Sequence, residues 1–239
     1  MDNLSIPTMQ TRERSFGSKT QQVVKELGIA IVTREYTSEK PFPIESEICT
    51  KYGASRSIVR EAIKVLNAKG LLIARPRRGT SVRSEKDWNL LDPDVLDWML
   101  NRRFNLTLLQ DFTRARMAIE PNAAAEAART ASARQIEHIA LMLDRMREAA
   151  QGQKEPLESD INFHLAILEA SNNPFFYNMS PMIETALHFS IRFTNKQLHQ
   201  HSASVEEHKV IFDAIARGDE KTAARETREL LERALELMV

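Results

Sequence analysis

A single cysteine, Cys49, stands among 239 residues. That scarcity excludes an internal disulfide framework and suits a reducing cytosol. Long apolar runs are missing too: none approaches the roughly 20 residues that cross a bilayer. The N-terminus, with Asp2 and no extended apolar core, does not read as a secretory signal. A soluble, cytoplasmic protein with no membrane partner is expected. Net charge is also absent, since 33 Lys+Arg balance 33 Asp+Glu, and over the whole chain that balance argues against a polyanion binder.

The balance conceals a division. Residues 1–87 hold 16 Lys+Arg against 10 Asp+Glu, whereas residues 88–239 hold 17 against 23. A basic front and an acidic rear imply modules with different partners. The length suits one or two domains, and 42% hydrophobic content is enough to bury ordinary cores.

Residues 1–15 carry Pro7, many polar side chains and no hydrophobic period, and read as a flexible tail. The helical spacing of Val23, Val24, Leu27, Ile31 and Val32 predicts a first helix over 19–33, which Pro41 and Pro43 separate from a second over 45–52 that stops at Gly53. Ser55 is placed to cap a third helix. In it, Ile58, Val59, Ala62, Val65 and Leu66 form a buried stripe, and Arg56, Ser57, Arg60, Lys64 and Asn67 form the outer face.

Strands over 71–74 and 81–83 would flank a turn carrying Arg75, Arg77, Arg78 and Gly79. Three helices and a basic hairpin in this order make a winged helix-turn-helix over 16–87. Its expected DNA-binding set is Ser55, Arg56, Ser57, Arg60, Lys64, Arg75, Arg77, Arg78 and Gly79, because arginines at a helix start suit a major groove and a basic wing suits the flanking phosphates. On an isolated helix such arginines would more often be a solvated face. Here the short turn, the N-terminal arginines and the basic wing occur together in chain order. Glu61 would oppose phosphate and is assigned an ion pair within the module, and Cys49 the role of a small buried hydrophobe.

The stretch PIESEICTKYGASRSIVREAIKVLNAKGLLIARPRRGTSV resembles the DNA-binding domain of GntR-type bacterial transcription factors. The serine and arginine at the helix start, the Arg-Glu-Ala, the Gly-Leu and the Arg-x-Gly of that family fall on Ser55, Arg56, Arg60, Glu61, Ala62, Gly70, Leu71, Arg78 and Gly79. The resemblance implies that Arg56 and Arg60 contact bases or phosphates and that Gly79 enters the minor groove. Ser46, and Phe42, Pro43 and Ile44, depart from the family pattern, so the operator sequence does not carry over.

Residues 88–106 read as a joint. Trp88, Leu91, Val95, Leu96, Trp98 and Met99 are its apolar positions, Asp92 caps Pro93 at the first helical position, and the short helix that follows is expected to dock between the modules. Asp92, Asp94 and Asp97 oppose a base-stacking role for the two tryptophans. From residue 107 onward nothing reads as strand. Helices are expected over 108–130, from a capping box of Ser132 and Gln135 to 150, and over 157–171, 174–196, 203–217 and 219–238. The protein is therefore expected to be mainly α, with 107–239 an all-helical bundle for effector binding and dimerisation.

Asp160 and His164, four apart, share one face of a helix and are spaced to hold a cation. Such a pair is more often a surface hydrogen bond. Here Ile161, Leu165 and Leu168 flank it, and His208 lies beside Ile211, Phe212 and Ile215, so all three polar groups can face one interior. This rear half resembles the FCD group of GntR-type regulators, whose Asp-x-x-x-His is Asp160 to His164 and whose Glu-His is Glu207 and His208. Leu230 occupies the place of a third histidine.

The resemblance implies a divalent metal, zinc first, on Asp160, His164 and His208, with open positions for the oxygens of a small carboxylate effector. Arg116 and Arg192 are expected to clamp that carboxylate and His188 to line the pocket. The bland alternative for either arginine is an ion pair with a neighbour such as Glu120 or Glu184. The joint is most similar to that of sugar-acid regulators, which implies a homodimeric repressor of an aldonate or uronate operon, released by the acid. Rival readings are a regulator answering a lactate-like hydroxy acid or a fatty acid, an architectural DNA protein, and a metal-dependent enzyme. No separate general base and no lid-like glycine loop support the last, and no enzymatic turnover is expected.

Overall fold

Helix α1 (Lys19–Val32) begins at a capping box: the Ser18 hydroxyl accepts from the Gln21 N–H, and the Gln21 side chain accepts from the Ser18 N–H. Val23, Val24, Leu27, Ile31 and Val32 are its buried face. Pro41 and Pro43 precede α2 (Glu45–Tyr52), where the Glu47 carboxylate turns back to accept from the Ile44 N–H. Ser55 caps α3 (Arg56–Ala68), accepting from the Ile58 N–H. Helices α1 and α2 pack on α3, which buries Val59, Ala62, Ile63 and Leu66. The stripe is rotated slightly from the expected one: Ile63 is buried, while Ile58 and Val65 are half-buried. Antiparallel strands β1 (Leu72–Arg75) and β2 (Gly79–Val82) pair Leu72 with Val82 and Arg75 with Gly79.

This computed structural model describes residues 18–37, 39–75, 79–102, 105–151, 156–198 and 205–238. Arg77 and Arg78 of the expected wing, the tail 1–15, and the side chains of Arg75 and Arg192 lie outside what is described. The chain divides into two units, Met1–Asn89 and Leu90–Val239. The segment 88–106, expected as one joint, is shared between them. Trp88 is 6% exposed and its indole N–H donates to the Arg83 carbonyl, 3.2 Å away. The Asn89 N–H donates to the Lys69 carbonyl at 3.2 Å. Helix α4 (Pro93–Arg102), capped by the Asp92 carboxylate through the Asp94 and Val95 N–H groups, belongs to the second unit.

The second unit continues with α5 (Leu106–Thr130), α6 (Ala133–Ala150), α7 (Pro156–Ala170), α8 (Pro174–Asn178), α9 (Ser180–Leu198), α10 (Val205–Ala216) and α11 (Glu220–Glu236). One helix was expected over 174–196. The structure breaks it at Met179, because Pro181 has no N–H to offer the carbonyl of Tyr177 and its ring crowds that position. Ser132 and Gln135 form the expected capping box of α6.

Helix α5 lies along α7, α9, α10 and α11. Two apolar clusters result. One joins Ala124 and Ala127 of α5 to Ile139, Leu143, Phe163, Ile167, Ile211 and Ile215. The other joins Phe112 of α5 to Leu96, Leu100, Ile161, Leu168, Ile183 and Leu187. Helix α7 feeds both, from opposite faces. At about 100° per residue, Asp160 and His164 fall on the stripe between those faces. Among the described residues no helix is long and apolar enough to cross a membrane.

Gly70 sits at φ 77°, and a Cβ there would lie 2.8 Å from the Asp87 carbonyl oxygen. Gly70→Ala is expected to destabilise the first unit by about 1–3 kcal/mol, the cost of a strained left-handed residue, plus the clash. Urea unfolding followed by tryptophan fluorescence would measure it.

Candidate functional site

The seam of α7 carries the polar chemistry of the rear unit. Asp160 Oδ1 lies 3.4 Å from His164 Nε2 and 3.5 Å from His208 Nε2, so α7 supplies two groups and α10 the third. All three are buried, and their ligand atoms gather within 4.8 Å of one another. Neighbouring donors on a tetrahedral ion with bonds near 2.0–2.1 Å stand roughly 3.3 Å apart, so this donor set fits a divalent cation. The other imidazole nitrogen, His164 Nδ1, lies 2.8 Å from Glu120 Oε2 on α5. Glu120 in turn accepts from Arg116 Nε at 2.5 Å and from its terminal nitrogen at 3.3 Å. The Phe163 ring stands edge-on to both imidazoles.

Beside this cluster opens a cavity of about 370 Å³, lined by Arg116, Asp160, His164, Ser190, Leu230 and Arg233 among others. Leu230 makes an apolar wall where a histidine was looked for. Of the expected effector residues, Arg116 reaches the wall but its guanidinium is committed to Glu120, and it is only 2% exposed. His188 is not among the lining residues; its Nε2 lies 3.9 Å from Glu158. Arg192 is on α9, its side chain outside the description. Polar lining residues that were not anticipated include Arg233, whose Nε is 2.8 Å from Glu207 Oε1, Glu236 and Ser190. Arg233 had a legible signal, since it follows Leu230 by three on one helix and so shares its face.

In the front unit, Arg56, Ser57, Arg60, Lys64 and Asn67 all lie on the exposed side of α3, as expected. Arg60 Nε is 2.9 Å from Glu45 Oε2 of α2, and Lys64 Nζ is 3.2 Å from Glu61 Oε2, the intramodule pair foreseen for Glu61. These exposed pairs hold loosely and leave little to break when a phosphate competes. Gly79 opens β2 at φ 76°, with nothing within 4 Å of where a Cβ would be.

The family profile described as bacterial regulatory proteins, gntR family, matches residues 19–82, and that of the FCD domain matches residues 111–233. The galactonate operon transcriptional repressor of Escherichia coli K12 is 32% identical over 204 residues, spanning 84% of this chain and 89% of its own. The chain belongs to the GntR family, FCD group. The HTH-type transcriptional regulator YieP of the same organism is 29% identical over 212 residues, 87% of this chain and 90% of its own. A solved structure, Streptococcus agalactiae GntR, aligns with TM-score 0.51 and 23% identity over 91% of this chain and 99% of that one, a likeness of fold. The protein is thus a ligand-responsive DNA-binding regulator rather than an enzyme.

Within the FCD half, without metal, the charges balance one another. Burial opposes ionisation of Glu120, but Arg116 and His164 overcome it and hold the carboxyl down at about 2. Asp160 is likewise held below the usual carboxylate range, the penalty of burial being outweighed by His164 and His208. Burial works against the His164 cation, yet Glu120 and Asp160 raise its pKa to about 9. The His164 contribution to stability is therefore full below its ordinary 6.5 and is lost as pH rises through about 9. The carboxylate contributions are full above 3.8 to 4.5 and are lost as pH falls below them. Chelator-treated protein should be most stable between about pH 4.5 and 6.5. Urea titrations across pH would check this, and a midpoint still rising above that window would contradict the charge assignment.

Proposed function

We propose that this protein is a cytoplasmic, homodimeric repressor of a sugar-acid catabolic operon, and that the acid releases it from DNA by binding the FCD cavity beside a zinc-class metal. The observation that carries the reading is the cavity's position: about 370 Å³ of space, within the roughly 300–1,000 Å³ usual for ligand pockets, opens directly on Asp160 and His164. A metal there would supply Lewis-acid positions for carboxylate and hydroxyl oxygens. Around the cavity Arg116, Arg233 and a divalent cation would balance Glu120, Asp160, Glu207 and Glu236, so an acid would be held by the metal's open positions rather than by a net charge. Arg233 and Ser190 on the wall are suited to the acid's remaining oxygens. The 32% identity to a galactonate operon repressor points to an aldonate or uronate.

At the other end, Arg56 and Ser57 read base edges from the start of α3. Arg60, released from Glu45, and Lys64 hold phosphates, as do Arg75, Arg77 and Arg78 of the wing. Ser55 acts as the cap that sets the helix start, and Gly79 allows close backbone approach. Two copies would present two reading helices to a two-fold operator. Release then needs only coupling: a tenfold loss of DNA affinity corresponds to about 1.4 kcal/mol between the sites.

The test is thermal unfolding of metal-replete and chelated protein against a panel of aldonates, uronates and hydroxy acids. A true effector at 100 times its Kd should add about 2.7 kcal/mol, only with metal present, and should shift the operator gel. Flat melting curves across the panel would end the sugar-acid reading. Arg56→Ala should weaken operator binding by about 1–3 kcal/mol with unchanged folding. Unaltered affinity would mean that another element reads the DNA.

A further inference from the structure

Sequence logic places Arg116 on the effector. In the structure it lines the cavity, but its guanidinium is held by Glu120. Its guanidinium grips the Glu120 carboxylate through two nitrogens, and the oxygen of Glu120 that also faces His164 lies 2.8 Å from Nδ1. Both oxygens of Glu120 are thereby used, on a side chain 3% exposed. His164 meets Glu120 with one ring nitrogen and Asp160 with the other, at 3.4 Å. An i, i+4 pair that served only to brace α5 would not need to touch α7.

We infer that Arg116 and Glu120 are positioning residues: together they fix His164 as the Nδ1–H tautomer, so that the bare Nε2 lone pair is aimed at the point shared with Asp160 and His208. A neutral imidazole carries its hydrogen on either nitrogen, and only one choice leaves Nε2 able to ligate a cation. A carboxylate on Nδ1 makes that choice and raises the basicity of the ligating nitrogen. Arg116 completes the arrangement. It keeps Glu120 ionised and stops its carboxylate from swinging into the cavity, where it would compete as a ligand. The edge-on ring of Phe163, with centroids 6.1 Å from His164 and 5.0 Å from His208, stands beside both imidazoles. The inference rests on reading Asp160, His164 and His208 as a metal site, and its test separates the two.

Full-length protein is stripped with chelator and titrated with Zn²⁺ against a chromophoric competitor, alongside Glu120→Gln and Arg116→Lys, each checked for folding by circular dichroism. Glu120→Gln, nearly isosteric, should weaken zinc binding by about 10–100-fold, the usual cost of losing such a partner. Arg116→Lys, which keeps charge but not the fork, should weaken it less. The absorption spectrum of bound Co²⁺ should shift in both. Wild-type zinc affinity in Glu120→Gln would overturn the positioning role while leaving the metal site standing, whereas a wild-type protein that takes up no zinc would overturn both. One measurement needs no variant: ¹⁵N NMR of the zinc-loaded wild type should show His164 with hydrogen on Nδ1, and hydrogen on Nε2 would refute the inference.

Discussion

A carboxylate withdrawn from water costs several kcal/mol unless partners repay it, and the rear bundle withdraws two, Glu120 and Asp160, with an arginine and two histidines. No single helix can meet that demand. Arg116 and Glu120 come from α5, Asp160 and His164 from α7, and His208 from α10. The packing of these three helices is therefore held by electrostatics as well as by apolar area. Loosening any one would strand a charge among leucines and isoleucines. The Asp160, His164 and His208 cluster and the cavity beside it follow from this convergence.

The front unit works the opposite way. Arg56 and Arg60 stand exposed on α3, and the ion pairs of Arg60 with Glu45 and Lys64 with Glu61 are exposed and weak. In the rear unit the pairs of His164 with Glu120 and Asp160, and of Arg116 with Glu120, are buried. One chain thus uses ion pairs in two regimes, set by burial.

Much of this was legible in residues. The caps at Ser55, Asp92 and Ser132 marked helix starts because a side-chain oxygen ahead of an apolar period has few other uses. Asp160 and His164 were found by spacing, and His208 by its apolar neighbours. What escaped depends on contacts between helices. That Arg116 faces Glu120 is a matter of four residues. That Glu120 reaches across to His164 requires the α5–α7 packing, and that His188 turns toward Glu158 instead of the cavity requires the path of α9. The break at Met179 was legible in Pro181 and was hidden by the strong apolar period around it.

The exit from the winged unit carries one more consequence. Gly70 abuts the Asp87 carbonyl, Asn89 is hydrogen-bonded to Lys69, and the Trp88 indole is fastened to Arg83. These ties anchor the outgoing chain to the carboxyl end of α3 itself, with no slack between. A residue inserted between Asp87 and Asn89 would have to give up one of these ties, so the length of this segment is fixed by the first unit's own backbone.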